Sequence, residues 1–433
     1  MSRSDSRLGS TTRRTFLRGA GVAGAIGLAG CSGQSGSSST ETGGTQTSSN
    51  TEGGSTGGTS DETVKLGALY PLTGPYGGLA KTMRQGVDLA VQQLNENGGI
   101  NGNTVEAIGE DTQASPQTGK QKARKLVEQD KVDALIGCIS SAVGSAVAGY
   151  ADQVNKPYYP SVAANSITME DCTRTTFRYE ARASQVATAA APWAVEEFGT
   201  NMWIHNADYL WGNSVASAWE KESKKADDVS VAGHTTSKLG ATDFSSYISK
   251  IMSSDAEWVL TGLNGGDAVN FLKQASSYGL KKEKTIVSPV SSFQFIRQAA
   301  GSAAQNTYAA VRYYEGYEEA ANEQFVSDYR NAYGAPPDSF ANVGYTYVNM
   351  YAMAANEAGS VDTDPLIEAQ TKISYDSPMG TASYRDCDHQ AARPMSVGKI
   401  VAPTNYDWPS IDILQTISAE EATLPCSAVS CDI

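Results

Sequence analysis

Val64-Lys65-Leu66-Gly67-Ala68-Leu69-Tyr70-Pro71-Leu72-Thr73-Gly74-Pro75 decides the fold class. An apolar run of strand length ends abruptly on a Pro/Gly turn. Behind it Leu79, Met83, Val87, Ala90 and Leu94 recur at helical spacing and stop at Asn97-Gly98-Gly99, a C-cap signal. Residues 105–108 give the next strand. Ser115-Pro116 opens a helix as N-cap and first helical residue, with Ala123, Leu126 and Val127 on its buried face. A strand at 132–136, a helix at 142–154 and a short strand at 157–160 follow. The rhythm resumes after Arg178, with helices at 183–198, 213–225, 244–252 and 267–278 and strands at 202–205, 229–233, 258–263 and 285–288. Such alternation builds mostly parallel sheets with helices on both faces, an α/β fold. Two helices rich in Tyr and Ala, 319–333 and 340–358, precede a β-rich end at 381–401. No internal repeat of solenoid length is present.

Upstream of this body the chain reads as an address. Thr12-Arg13-Arg14-Thr15-Phe16-Leu17-Arg18 is a twin-arginine export signature, and Leu28-Ala29-Gly30-Cys31 reads as a lipobox. The apolar run between them, 19–30, is too short to span a bilayer, so residues 1–30 are expected to be a cleaved Tat-type lipoprotein signal peptide. Lipidation of Cys31 would hold the protein at the outer face of the cell membrane. Gly19-Ala20-Gly21-Val22-Ala23-Gly24 matches a dinucleotide-binding pattern, but no strand precedes it, so it carries no nucleotide reading. Residues 31–62 are nearly all Ser, Thr, Gly, Gln, Glu and Asn and are expected to be a disordered tether averaging roughly 30 Å end to end.

Charge and cysteine content exclude whole classes of function. Residues 1–30 hold five Arg and one Asp of the chain's 33 basic and 47 acidic side chains, so the rest keeps 28 and 46, a formal charge of −18 against −14 for the whole. So acidic a surface opposes nucleic acid and anionic lipid and keeps a protein soluble in strong salt, pointing to a halophilic archaeal source. With Cys31 lipidated, five cysteines remain: Cys138, Cys172, Cys387, Cys426 and Cys431. No C-x-x-C and no Cys/His cluster supports a metal site, while an extracellular setting permits disulfides and the odd count leaves one thiol over. The remaining length of about 370 residues exceeds one ordinary core, so two domains are expected.

The opening 66–75 stretch, then Gly86-Val87-Asp88-Leu89-Ala90 and Asn95-Glu96-Asn97-Gly98-Gly99-Ile100-Asn101-Gly102, resembles the start of the branched-chain amino-acid (leucine/isoleucine/valine) binding proteins of ABC importers. Glu110-Asp111-Thr112, Val132-Asp133-Ala134-Leu135-Ile136-Gly137, Phe177-Arg178, Tyr209-Leu210-Trp211-Gly212 and Asp388-His389-Gln390 continue it in order, over about residues 64–405. The resemblance implies a type I periplasmic-binding-protein-like fold: two lobes, 63–180 plus 314–386 and 181–313 plus 387–433. Three strands should cross between them near 178–183, 311–316 and 385–397. It implies a receptor that captures a small polar solute (an amino acid, an amide or urea, or an organic acid) and delivers it to permease and ATPase subunits. A monomer without cofactor is expected.

In open parallel sheets the ligand lies beyond the carboxyl ends of strands, where loops feed helix N-termini. Ile136-Gly137-Cys138-Ile139-Ser140-Ser141 is such a place, and a carboxylate there would accept backbone N–H groups and serine hydroxyls. By resemblance the carboxylate contacts fall on Ser140, Ser161 and Ala163, with Ser141 beside them; for Ser140 and Ser141 the alternative is a helix cap. Trp211 takes the position of a family aromatic that closes over the ligand, on a strand-to-helix loop, with Tyr209 beside it; Asn264 aligns with a further contact. Amino-acid binders place an acid for the ammonium where this chain has Pro289 or Val290, which opposes α-amino-acid binding unless Glu315 or Asp267 substitutes.

The resemblance also brings Cys172 near Cys387, leaving Cys426 to pair with Cys431 and Cys138 as the odd thiol; Cys138–Cys172 is the alternative. Two other readings stand beside the receptor. A ligand-sensing subunit of a membrane signalling receptor would share the fold and cleft. An extracellular hydrolase would need a base beside a nucleophile, and His205, His234 and His389 sit in no such spacing.

Overall fold

A computed structural model of the chain describes residues 62–74 and 76–433. The leader, Cys31 and the tether lie outside the described residues. The described part opens with β1 (Val64–Tyr70), α1 (Gly77–Glu96), β2 (Val105–Asp111), α2 (Pro116–Glu128), β3 (Ala134–Gly137), α3 (Ser141–Gln153) and β4 (Tyr158–Pro160). These strands form a parallel sheet in the order β2-β1-β3-β4. The chemistry at α2 follows the sequence: Ser115 Oγ accepts from Thr118 N–H at 3.4 Å and Pro116 fills a position whose N–H has no helical partner.

The second sheet collects α4 (Ala183–Phe198), β5 (Asn201–Ala207), α5 (Leu210–Ser223), β6 (Ser230–Ser237), α6 (Ser245–Met252), β7 (Trp258–Gly262), α7 (Gly265–Ser277), α8 (Leu280–Glu283), β8 (Thr285–Val287), α9 (Gln294–Ala300) and β9 (Tyr308–Val311). The chain then adds α10 (Ala320–Tyr333), α11 (Ser339–Ala358), α12 (Thr363–Gln370), β10 (Tyr375–Ser377), β11 (Gly380–Tyr384), β12 (Ala391–Ala392), β13 (Met395–Val401), β14 (Ser410–Ile417) and α13 (Ala419–Ala422). The seven-stranded order is β14-β13-β9-β8-β7-β5-β6, parallel from β9 to β6 and antiparallel at β13 and β14. β10, β11 and β12 form a small antiparallel sheet that shares a core with the first sheet. Several elements escape the sequence reading, among them α8, α9, α12, α13, β10 and β14. The helices and β10 are short, and β14 is an edge strand whose inner part is mostly exposed, so none carries a strong apolar signal.

The chain passes between the two large sheets three times: between β4 and α4, between β9 and α10, and between β12 and β13. The first and third passages are hydrogen-bonded to each other, Arg178 N–H to the His389 carbonyl at 2.9 Å and Ala391 N–H to the Arg178 carbonyl at 2.8 Å. Each sheet has its own aromatic centre: Trp219 against Trp258 in the second, and Tyr159 among Phe177, Tyr347 and Tyr351 in the first. No helix among the described residues is long and apolar enough to cross a membrane.

The tail after β14 doubles back across the passages and carries two disulfides, Cys172–Cys431 and Cys387–Cys426, with Cα separations of 5.7 and 6.0 Å. This corrects the expected pairing of Cys172 with Cys387 and of Cys426 with Cys431. The four cysteines involved are those expected, but the path of the tail hands each tail cysteine a different partner. Among the described residues Cys138 is the free thiol, and it is buried.

Candidate functional site

β3 ends on Gly137, whose φ of +109° and 2.4 Å approach of a notional Cβ to the Leu69 carbonyl leave room only for glycine. That turn swings the chain off the sheet and into α3. Ser140 occupies the N-cap position without a side-chain cap bond, while Ser141 Oγ accepts from Ala164 N–H at 3.2 Å and ties α3 to the loop after β4. In the second sheet Tyr209 is the N-cap of α5, again without a side-chain cap, and Trp211 lies in the first turn of the helix rather than on a loop. Helix α5 starts three residues before the expected 213, and within its first turn Gly212 passes close under the Ala207 carbonyl, where a Cβ would sit at 2.1 Å. Asn264 caps α7 through its own side chain, accepting from Gly265 N–H.

These pieces meet in one small cavity of about 20 Å³, lined by Tyr76, Ile139, Ser141, Ser161, Ala163, Glu180, Tyr209, Trp211, Asn264, Phe293, Arg312 and Phe340. Ser141, Ser161, Ala163, Tyr209, Trp211 and Asn264 were singled out from sequence; Ser140 does not border the cavity. Cys138 and Ser140 instead shape the turn behind it. Neither Pro289 nor Val290 lines it, and the two substitute acids are engaged elsewhere. Glu315 takes both donors of Arg297 Nη2, at 2.9 and 2.7 Å, and Asp267 accepts from Gly240 N–H at 3.0 Å.

Sequence reasoning missed the charged pair of the site. Glu180, on the first passage, accepts from Arg312 Nη1, on the second, at 2.5 Å with both side chains buried. The Arg312 guanidinium lies over the Phe293 ring at 4.9 Å and near Trp211 at 5.9 Å. Tyr347 holds the frame: its hydroxyl accepts from Tyr179 and Glu180 N–H and donates to the Pro160 carbonyl, one residue before Ser161. No local signal singled them out, because both passages are rich in ionisable residues: Arg178 and Arg182 flank Glu180 in the first, and Glu315 follows Arg312 in the second.

The electrostatics favour an anion. Helices α1, α3 and α5 all begin at the cavity wall, at Tyr76, Ser141 and Tyr209, and none has a side-chain cap on its first N–H groups. Burial pushes the Tyr76 hydroxyl up to about 12 and the Tyr209 hydroxyl well above its ordinary range, with a further push from Asp267 on Tyr76, so both stay protonated donors. Ser161 Oγ, Tyr209 OH, Glu180 Oε2 and Arg312 Nε are buried without a hydrogen-bond partner in the protein. All four belong to residues that line the one cavity.

Residues 63–405 match the profile of the periplasmic binding protein family. The chain belongs to that family. It is 24% identical over 364 residues to Leu/Ile/Val-binding protein homolog 4 of Brucella abortus, an alignment covering 79% of this chain and 85% of that protein. It is equally 24% identical over 327 residues to the leucine-, isoleucine-, valine-, threonine-, and alanine-binding protein of Pseudomonas aeruginosa, covering 75% and 86%. Among solved structures, a periplasmic binding protein of Burkholderia mallei superposes with a TM-score of 0.79 at 24% identity, over 85% of this chain and 98% of that one. Two ABC transporter solute-binding proteins of R. palustris superpose at 0.76. One, in complex with benzoate, is 22% identical over 86% of this chain and 100% of its own; the other, with 4-hydroxybenzoate, is 20% identical over 82% and 97%. The fold is the type I periplasmic-binding-protein fold, and its two sheets are the cores of the two lobes.

Proposed function

We propose that this protein captures a small organic acid with an apolar or aromatic body between its lobes and hands it to the permease of an ABC importer. The observation that carries this reading is the convergence of three uncapped helix N-termini on a cavity whose only charged residues, Glu180 and Arg312, already neutralise each other. A carboxylate gains from those N-termini and from the Ser141 and Ser161 hydroxyls. An ammonium finds only the second oxygen of a carboxylate already paired with Arg312, and the buried guanidinium beside it repels a second cation. Tyr76, Tyr209, Trp211, Phe293 and Phe340 supply flat apolar walls for the rest of the molecule once the lobes part to admit it, since about 20 Å³ holds little more than one water. Benzoate and 4-hydroxybenzoate bound to relatives of the same fold suit this chemistry better than the amino acids after which other relatives are named.

The mechanism is closure without covalent chemistry. A ligand that touches both lobes binds the closed state more tightly and shifts the population by that difference. Export by the twin-arginine route, lipidation at Cys31 and the 31–62 tether would keep the lobes at the outer membrane face, within reach of the permease. A thermal-shift series with benzoate, short aliphatic acids, leucine and urea tests the reading, since a ligand specific to the native state raises the melting temperature. Stabilisation by an acid is expected; stabilisation by leucine or urea and by no acid would overturn it.

A further inference from the structure

Glu180 and Arg312 are joined by a single hydrogen bond, Nη1 to Oε1, although a guanidinium and a carboxylate can pair through two. The monodentate geometry leaves Glu180 Oε2, an acceptor, and Arg312 Nε, a donor, both buried and both without a partner in the protein. Their side chains are 2% and 3% exposed and both residues border the cavity. The group that completes this arrangement must donate and accept at once. An ammonium only donates, so it would leave Arg312 Nε unpaired and set a second cation beside the guanidinium. A second carboxylate only accepts, so it would face Glu180 Oε2 with like charge. An apolar substituent would leave both atoms unsatisfied. A hydroxyl does both; an amide or urea does too, but brings no carboxylate for the helix N-termini on which the organic-acid reading rests.

We propose that the Glu180–Arg312 pair reads a hydroxyl on the body of the bound acid, so that the preferred ligand is a hydroxylated aromatic carboxylate. The hydroxyl donates to Glu180 Oε2 and accepts from Arg312 Nε, while Phe293 and Trp211, against which the guanidinium lies, flank the ring that carries it. This rests on the organic-acid reading above and adds to it a discrimination between acids. A site built to bond a hydroxyl rejects the analogue lacking it, because its own buried groups are then left unpaired.

The test is calorimetric titration of the full chain, disulfides intact, with benzoate, 3-hydroxybenzoate and 4-hydroxybenzoate, repeated on Glu180→Gln. At least one hydroxybenzoate is expected to bind the unaltered protein tenfold or more tighter than benzoate. Glu180→Gln replaces the free acceptor by an N–H donor and is expected to bring the ratio of hydroxybenzoate to benzoate affinity below about threefold, whatever the change in benzoate affinity itself. Equal affinity for all three acids in the unaltered protein would overturn the hydroxyl reading and leave the acid reading standing. Binding of none of them would overturn both. Equal weakening of benzoate and hydroxybenzoate in Glu180→Gln would assign Glu180 a purely structural role and overturn the proposal. The ligand-free melting temperature of the variant separates that case from misfolding.

Discussion

Arg182 and Asp388 form an ion pair at 2.8 Å with both side chains fully buried, joining the first passage between the lobes to the start of the third. Asp388 also accepts from Arg385, so one carboxylate serves two guanidinium groups. Beside it Arg178 Nε donates to Gln390 Oε1 at 2.7 Å, and Gln390 returns its amide to the Arg178 and Glu180 carbonyls. The hinge is thus a polar core, in which Arg182 Nε and Nη2 and the three side-chain nitrogens of Arg393 are nevertheless buried without a hydrogen-bond partner in the protein. Removing Asp388 leaves buried cations uncompensated, so Asp388→Ala should destabilise the protein by about 3–5 kcal/mol. Urea unfolding followed by circular dichroism measures this; a loss under about 1 kcal/mol would mean water reaches the hinge.

The two disulfides should contribute unequally detectable effects. Cys387–Cys426 closes a segment 39 residues long and Cys172–Cys431 one of 259. By loop entropy alone the shorter stabilises by roughly 4 kcal/mol. By the same measure the longer bridge stabilises at least as much, so Cys172→Ser should lower the melting temperature no less than Cys387→Ser and also release the last residues of the tail, read as faster amide exchange after Cys426. Peptide mapping without reductant should find these two pairs.

Cys138 should be inert in the native state. Burial pushes its thiol up to about 12, and no part of it is exposed. Iodoacetamide is expected to modify one cysteine in urea and none without it. Native labelling at Cys138 would show that the turn between β3 and α3 opens.

In the cavity, Trp211→Ala should weaken binding of the stabilising acid by about 2 kcal/mol or more, as for a central buried aromatic. Ser161→Ala should cost about 1 kcal/mol or more, since its orphan hydroxyl is available to the carboxylate. Titration calorimetry checks both; unchanged affinity in both variants would place the site elsewhere.

Acidification should destabilise the fold between about pH 6.5 and 4. Desolvation lowers His205 and His389 to about 4, so the unfolded chain takes up two protons that the folded one refuses, and stability present above 6.5 is lost as pH falls. Asp338 works the other way. Its carboxyl is pushed up to about 6 by burial, so the folded chain gains stability on protonation as pH falls through 6. Burial raises Asp88, Asp133 and Asp267 in the same sense, while hydrogen bonds and nearby cations lower Glu110, Asp111, Asp243, Asp364 and Glu421 in the opposite one, so the two histidine losses, of order 3 kcal/mol each at their limit, decide the sign. Melting temperature against pH should fall across this window, and His205→Gln should flatten the slope.

Sequence alone determined the order of strands and helices, because apolar spacing and turn residues act over a few residues at a time. It determined the family too, since weak motifs kept their order from Leu66 to Gln390. It also picked six residues that border one cavity, all at strand-to-helix junctions where such a fold gathers its loops. Tertiary structure decided what no local pattern encodes. Glu180 and Arg312 are 132 residues apart and meet only because two passages run side by side. Tyr76, Phe293 and Phe340 read as ordinary apolar positions until three separate segments bring them to the same wall. The disulfide partners depended on the path of the tail across the passages, and cysteine spacing says nothing about a path. Burial, finally, left Glu180 Oε2 and Arg312 Nε without partners, and a group's hydrogen-bond deficit exists only once everything around it is in place.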